Sequence, residues 1–229
     1  MILGKKVLVI VPARGGSKGI KLKNLIKING KTLIEHVANI VKKLKFVDLS
    51  VVSSDHKKIL LNSIKTNVFK IVKRPKKLSG DKISDLKVLK HALKEVEKKY
   101  GNFDLVVMLQ PTSVLRKPHH VYNAVLSLIK NKFDSVWSIS ETNLKFHPLK
   151  QLIVKKKLLN FYSKYGNKII ARQQLKPTYH RNGSVYVFKK NTLLKQNKIL
   201  GNRSGYILIK EKQISIDDLS DYKMAKAEF

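Results

Sequence analysis

A chain of 229 residues with 43% hydrophobic side chains can bury a substantial core, and it reads as one domain over 1–229. It carries 48 basic and 15 acidic residues, a formal charge of +33, and no cysteine, which excludes disulfides, thiol catalysis and cysteine-bound metal. No apolar run reaches the length of a membrane span and no signal-peptide pattern is visible, so a cytoplasmic protein with no membrane partner is expected.

The first predicted element is Lys6–Val11, a strand with continuous apolar character and therefore buried on both faces. It runs into Pro12-Ala13-Arg14-Gly15-Gly16-Ser17-Lys18-Gly19-Ile20-Lys21-Leu22-Lys23-Asn24. Three glycines let such a backbone bend tightly and turn its N–H groups toward an anion, and four cations lie along the same turn. The spacing fits neither the Walker A pattern nor the dinucleotide fingerprint. A cationic, glycine-rich loop after a first strand suits a polyphosphate; the competing reading is a flexible basic surface turn.

Beyond the loop, strands and helices alternate. Leu33 to Leu44 follows a helical period, and Leu49–Ser53 is a strand ending at Ser54-Asp55. Ile59–Ile64 is a short helix, Val68–Val72 a strand, and Ser84–Tyr100 a helix with Leu86, Leu89, Leu93 and Val96 on one face. Leu105–Leu109 is a strand that breaks at Pro111; Pro118 opens a helix through Ile129; Ser135–Ile139 is again a strand. After residue 140 the alternation weakens, with a hairpin over Leu149–Phe161, strands at Ser184–Phe188 and Tyr206–Ile209, and a helix from Asp221. The pattern predicts an α/β sandwich of three layers with a mostly parallel sheet, whose ligands gather at the carboxyl ends of the strands.

The runs Lys76-Lys77, Lys98-Lys99 and Lys155-Lys156-Lys157 are scattered, and aromatics, at 7%, do not interleave with them as a stacking platform would. Most of the charge therefore reads as solvated faces, and nucleic acid is not the expected partner. Only six of the 48 basic residues are arginine: Arg14, Arg74, Arg116, Arg172, Arg181 and Arg203. A lysine-rich chain is expected to keep arginine where a planar, bidentate fork is needed, so the group points to an anion site. His36, His91, His119 and His120 show no metal-ligand spacing with carboxylates and read as helix-surface residues.

Seven blocks in order resemble the CMP-sialic acid synthetases, or acylneuraminate cytidylyltransferases. They are Pro12–Gly19 with Lys23-Asn24; Val52–Asp55; Arg74-Pro75 through Leu78, Asp81 and Ser84 to His91–Leu93; Leu109–Ser113 with Leu115-Arg116; His147–Lys150; Arg172–Gln174 with Asn182–Tyr186; and Ile216-Asp217 with Asp221 and Ala227-Glu228. The resemblance implies a Rossmann-like nucleotidyltransferase fold and a reaction of CTP with a nine-carbon 2-keto sugar acid of sialic, legionaminic or pseudaminic type, giving the CMP-sugar and pyrophosphate. It implies Mg2+ as cofactor, and a homodimer formed through a subregion at about 140–182 that lends residues to the neighbour's site.

By the same resemblance Arg14 and Lys23 bind the triphosphate with Lys18 and Ser17 nearby, and Asn24 hydrogen-bonds the nucleotide. Arg74 and the Ser84 region surround the cytosine. Gln110 faces the sugar, and Arg172 and Lys150 approach its carboxylate or polar groups; Tyr186 is either a ligand contact or core. Asp217 is the implied metal ligand. Two departures stand out. Ser215 replaces the first of two aspartates expected two residues apart on one face of a strand, leaving one carboxylate for the metal and Asp221 as the candidate substitute. Asp85 replaces a serine near the base, either to accept from the cytosine amino group or as an exposed acid in a helix's first turn. Two rival readings are a Kdo cytidylyltransferase, disfavoured by Pro111-Thr112-Ser113 behind Gln110, and a non-catalytic RNA-binding or scaffold protein on the same fold.

Overall fold

The computed structural model describes residues 1–229. In chain order the elements are β1 (Val7–Pro12), the small hairpin β2 (Lys27–Ile28) and β3 (Lys31–Thr32), α1 (Leu33–Lys42), β4 (Leu49–Ser54), α2 (Lys57–Lys65), β5 (Lys70–Lys73), α3 (Asp85–Tyr100), β6 (Leu105–Met108) and α4 (Pro118–Lys130). There follow β7 (Ser135–Glu141), the hairpin β8 (Leu152–Lys155) and β9 (Leu158–Phe161), β10 (Tyr179–Lys189), α5 (Lys190–Leu194), β11 (Ser204–Leu208) and α6 (Leu219–Lys226).

Seven strands form one sheet in the order β11-β7-β10-β6-β1-β4-β5. Every neighbouring pair is parallel except the two that involve β10, so the sheet is mostly parallel, as the alternation predicts. Period-2 geometry sends alternate residues of β1 to opposite faces. Val7, Val9 and Val11 pack with Ile34, Val37 and Val41 of α1 and with Val121, Val125 and Leu128 of α4. Leu8 and Ile10 pack on the other face against Leu89, Leu93 and Val96 of α3. The result is the predicted three-layer sandwich. A third cluster, Ile28, Leu33, Val114, Ile214, Ile216 and Ala225, ties the hairpin β2–β3 and α6 to the end of the sheet where the site lies.

The structure departs from the sequence reading in four places. β10 begins at Tyr179 rather than Ser184, because its first three residues pair with β7 beyond a register shift. The predicted hairpin from Leu149 begins at Leu152, after a 3-10 turn at Pro148–Lys150. Ser215 and Asp217 do not lie on a strand; Ser215 makes only an isolated antiparallel bridge to Ser113. Two short elements, β2–β3 and α5, carry too little periodicity to be read in advance.

Residues 142–178 leave the sheet between β7 and β10. Their two ends are clamped, with Glu141 opposite Tyr179 and the Thr142 N–H donating to the Thr178 carbonyl at 2.8 Å. Within the segment β8 and β9 form a separate sheet, and Val154, Leu158, Leu159, Tyr162 and Ile170 are exposed. His147 is buried and holds the base of this arm. Its Nδ1 accepts from the Leu149 N–H at 3.2 Å, so Nε2 carries the proton it shares with the Lys176 carbonyl at 3.1 Å. No helix is long and apolar enough to cross a membrane.

Candidate active site

The carboxyl ends of β1, β5 and β6 open onto one cavity of about 720 Å³, within the usual range for small-molecule sites. Its floor is the loop after β1. The backbone of that loop is fixed by carbonyl and carboxylate acceptors at several points. The Ala13 N–H donates to the Ser53 carbonyl at 3.0 Å, the Gly15 N–H donates to Asp55 Oδ1 at 3.0 Å, and buried Asn24 donates through Nδ2 to the Arg14 carbonyl at 3.0 Å. Gly19 is required by close approach: a Cβ there would lie 2.2 Å from the Asp217 carbonyl oxygen.

Three cations of the loop line the cavity, and each meets a carboxylate from another segment. Arg14 Nη1 lies 2.6 Å from Asp81 Oδ1, Lys18 Nζ 2.7 Å from Asp81 Oδ2, and Lys23 Nζ 2.7 Å from Asp217 Oδ1. Lys21 is exposed and does not line the cavity. Asp217 is held in place by its own N–H, which donates to Asp221 Oδ2 at 2.8 Å. The same Asp221 oxygen also accepts from the Asp218 N–H, which staples the entry to α6, and Asp221 does not line the cavity. Ser215 lines the cavity beside Asp217, its hydroxyl 3.3 Å from that of Thr112. The hard oxygen donors Asp217 and, next to it, Ser215 suit a divalent cation that takes its other ligands from phosphates and water.

Arg74 and Asp85 line another part of the wall. Arg74 is buried; it donates to the Ser53 carbonyl at 3.1 Å, and its Nε has no partner. Burial pushes the guanidinium pKa down, opposed by the Asp55 carboxylate. Asp85 is half-buried, and burial raises its pKa against the pull of Arg181 and Arg74. This removes the exposed-helix reading of Asp85. Helix α3 begins there, which turns Asp85 inward and leaves Ser84 as an exposed N-cap outside the cavity wall. Ser84 stands at the start of the helix, beside the cavity wall that Asp85 lines.

Toward β6 and β10 the wall is formed by Gln110, Thr112, Asn182, Gly183 and Tyr186. Gly183 has φ +76°, and a Cβ there would sit 2.9 Å from Gln110 Oε1. Arg116 stands behind this wall, fully buried, donating through Nη2 to the Gln110 carbonyl at 2.6 Å and through Nε to the Ser184 carbonyl. It is a framework residue that fixes the strand ends bearing Gln110 and Asn182. Tyr186 is both core and wall: it pairs with Met108 in the sheet and packs edge-on against Trp137 at 5.1 Å between ring centres. Arg181 and Asp81 carry no role in the sequence, and Trp137 and Ile199 carry no signal there; the four come together here only through tertiary structure.

Lys150 and Arg172 do not line this cavity. They line a second one of about 770 Å³ within the arm, with Leu144, Phe161 and Ile170. Elsewhere the structure corrects the reading of the histidines. His119, His120 and Glu211 offer ligand atoms within 4.8 Å of one another, although Glu211 is far away in sequence. His120 Nδ1 accepts from the Lys117 N–H at 3.2 Å, so neutral His120 carries its proton on Nε2, facing Glu211 Oε1 at 3.5 Å rather than offering a lone pair to a metal.

The family model for cytidylyltransferases matches residues 8–228. The chain belongs to this family. It is 29% identical over 96% of its length to an N-acylneuraminate cytidylyltransferase of Escherichia coli O18:K1:H7, covering 51% of that protein. It is 27% identical to a pseudaminic acid cytidylyltransferase of Campylobacter jejuni, covering 96% of this chain and 95% of that one. The chain therefore spans about half the length of the first of these relatives. Among solved structures, a CMP:2-keto-3-deoxy-manno-octonic acid synthetase complexed with CTP superposes with a TM-score of 0.69 over 98% of both chains at 15% identity, a likeness of fold.

The close approach at Gly19 makes a direct prediction for this cytidylyltransferase-family site. Gly19→Ala forces the loop away from the Asp217 backbone and should cost about 1–3 kcal/mol in urea unfolding. Gly16→Ala, with nothing within 4 Å of its Cβ, should stay within about 0.5 kcal/mol of the parent.

Proposed function

We propose that the chain transfers CMP from CTP to a nine-carbon 2-keto sugar acid and releases pyrophosphate. The observation that carries this reading is the single cavity in which a cationic loop, the carboxylate of Asp217, the Arg74–Asp85 pair and the polar wall at Gln110 and Asn182 all converge. The sugar's anomeric hydroxyl would attack the α-phosphorus; its new P–O bond forms as the bond to pyrophosphate breaks. Such a step needs positioning and charge stabilisation more than covalent participation by the protein.

The residues divide the work by their chemistry. Arg14, Lys18 and Lys23, with the backbone at Ser17, face a triphosphate. Lys23 leaves Asp217 for a phosphate oxygen, which frees the Asp217 carboxylate to hold Mg2+. When bound, the ion offsets charge on the phosphates. Asn24 keeps the loop closed around them by its bond to the Arg14 carbonyl. The edge of cytosine presents acceptors at O2 and N3 and a donor at N4; Arg74 supplies N–H groups and Asp85 supplies acceptors, a pairing that uracil cannot match. Gln110, Asn182 and Tyr186 face the sugar.

Lys150 and Arg172 act in this reading from the arm of a second copy. The exposed apolar side chains of β8 and β9 support such a pairing, and a mass of one chain by light scattering would contradict it. The relatives act, by name, on sialic and pseudaminic acids, which supports the nine-carbon class.

Pyrophosphate release from CTP, measured with a panel of 2-keto sugar acids, tests the reading. Release with a nine-carbon acid and not with the eight-carbon Kdo is expected. Asp217→Asn should lower turnover at least about a hundredfold, since a charge-stabilising group is worth that much in the transition state. No release with any sugar, alongside tight RNA binding, would overturn it.

A further inference from the structure

Asp81 presents a carboxylate to the floor of the cavity for which the proposed chemistry has no use. It lies between Leu78 and Asp85, on the loop that leads into α3. Its two oxygens each take a different cation: Oδ1 meets Arg14 at 2.6 Å and Oδ2 meets Lys18 at 2.7 Å. It receives no backbone N–H, unlike Asp55, Asp218 and Asp221, each of which staples a loop or caps a helix. Its only partners are two cations that line the cavity. The Asp81 side chain is 40% exposed and that of Lys18 81%, so the cluster is open to solvent and to an incoming ligand.

We infer that Asp81 is a built-in counter-anion that occupies Arg14 and Lys18 until a polyphosphate displaces it, and so sets how tightly polyphosphate binds and how readily pyrophosphate leaves. The inference rests on the nucleotide reading above for the identity of the ligand. The physical basis is competition: Asp81 engages Nη1 of Arg14 and Nζ of Lys18, and its charge repels a phosphate brought to the same two cations. In this proposal a ligand that takes Arg14 and Lys18 expels Asp81 at a fixed cost, and Asp81 returns as that ligand leaves. A triphosphate or pyrophosphate bears this cost. CMP has no β- or γ-phosphate to reach the pair, and does not. Asp81 thus holds back binding of the product most able to inhibit the site, while the repelling cations of the loop stay neutralised in its absence.

The test is calorimetric titration of the full chain with inorganic pyrophosphate and with CMP, for the parent and for Asp81→Asn. Pyrophosphate should bind about tenfold more tightly to the variant, with CMP unchanged within about twofold. The pyrophosphate inhibition constant should fall by the same factor in the release assay. Asp81→Ser, which cannot keep an amide in the carboxylate's place, should behave alike. Unchanged or weaker pyrophosphate binding in a variant that melts like the parent would overturn the inference and make Asp81 a positioning residue for the two cations. An equal gain for CMP would overturn it too, by placing the pair at the α-phosphate. Loss of folding in both variants would show a structural staple instead. If neither parent nor variant binds pyrophosphate or CMP, the nucleotide reading itself fails.

Discussion

Three cations on one loop, Arg14, Lys18 and Lys23, line a cavity in a chain of net charge +33, and like charges so close would drive the loop apart. Carboxylates from two distant segments prevent this. Asp81, from the loop before α3, takes Arg14 and Lys18, and Asp217, from the segment after β11, takes Lys23. Asp55, at the end of β4, holds the same loop by its backbone through Gly15. The loop is therefore shaped before any ligand arrives, and its cations are already spaced for anions. Partners that are largely exposed add little to stability at rest. In the proposed reaction their value lies in being exchangeable, a phosphate taking the place of each carboxylate.

The wall toward Gln110 is built on the opposite principle. Arg116 is buried without a carboxylate, and its hydrogen bonds go to two backbone carbonyls, Gln110 just beyond β6 and Ser184 within β10. A buried guanidinium so placed would be costly to leave unsatisfied, so the strand ends it bridges are held rigidly. Gly183 lets the β10 backbone come up against Gln110 where a side chain would collide. The cavity thus combines an exchangeable electrostatic floor with a fixed polar wall. That division suits a reaction in which a polyphosphate must leave while the acceptor is held still.

Much of this was legible in the sequence, and for identifiable reasons. The alternation of apolar runs gave the parallel sheet and its layers, because period 2 and period 3.6 differ clearly in elements as long as β1 and α3. The scarcity of arginine located the site: Arg14, Arg74 and Arg181 line the cavity, and Arg116 frames it. Arg203 stands apart from the cavity and lies over the ring of Phe133 at 5.8 Å. The roles that were missed belong to residues defined by their partners. Asp81 sits in a recognisable block, yet nothing local shows that its carboxylate spans two cations of a loop 60 residues upstream. Ser84 and Asp85 exchange roles according to where α3 begins, a boundary that one residue decides. His120 and Glu211 meet only because β11 and the start of α4 end near one another. Lys150 and Arg172 lie on an arm with its own cavity, apart from the one lined by Arg14 and Arg74.

The central claim is that a triphosphate takes the places that Asp81 and Asp217 occupy on the loop. The most direct measurement is a crystal structure of the protein with CTP. The account predicts phosphate oxygens within hydrogen-bond distance of Arg14, Lys18 and Lys23, both carboxylates moved off their cations, and the cytosine edge against Arg74 and Asp85. A nucleotide bound on the outer lysine faces, or one that leaves the Asp81 and Asp217 pairs intact, would contradict it.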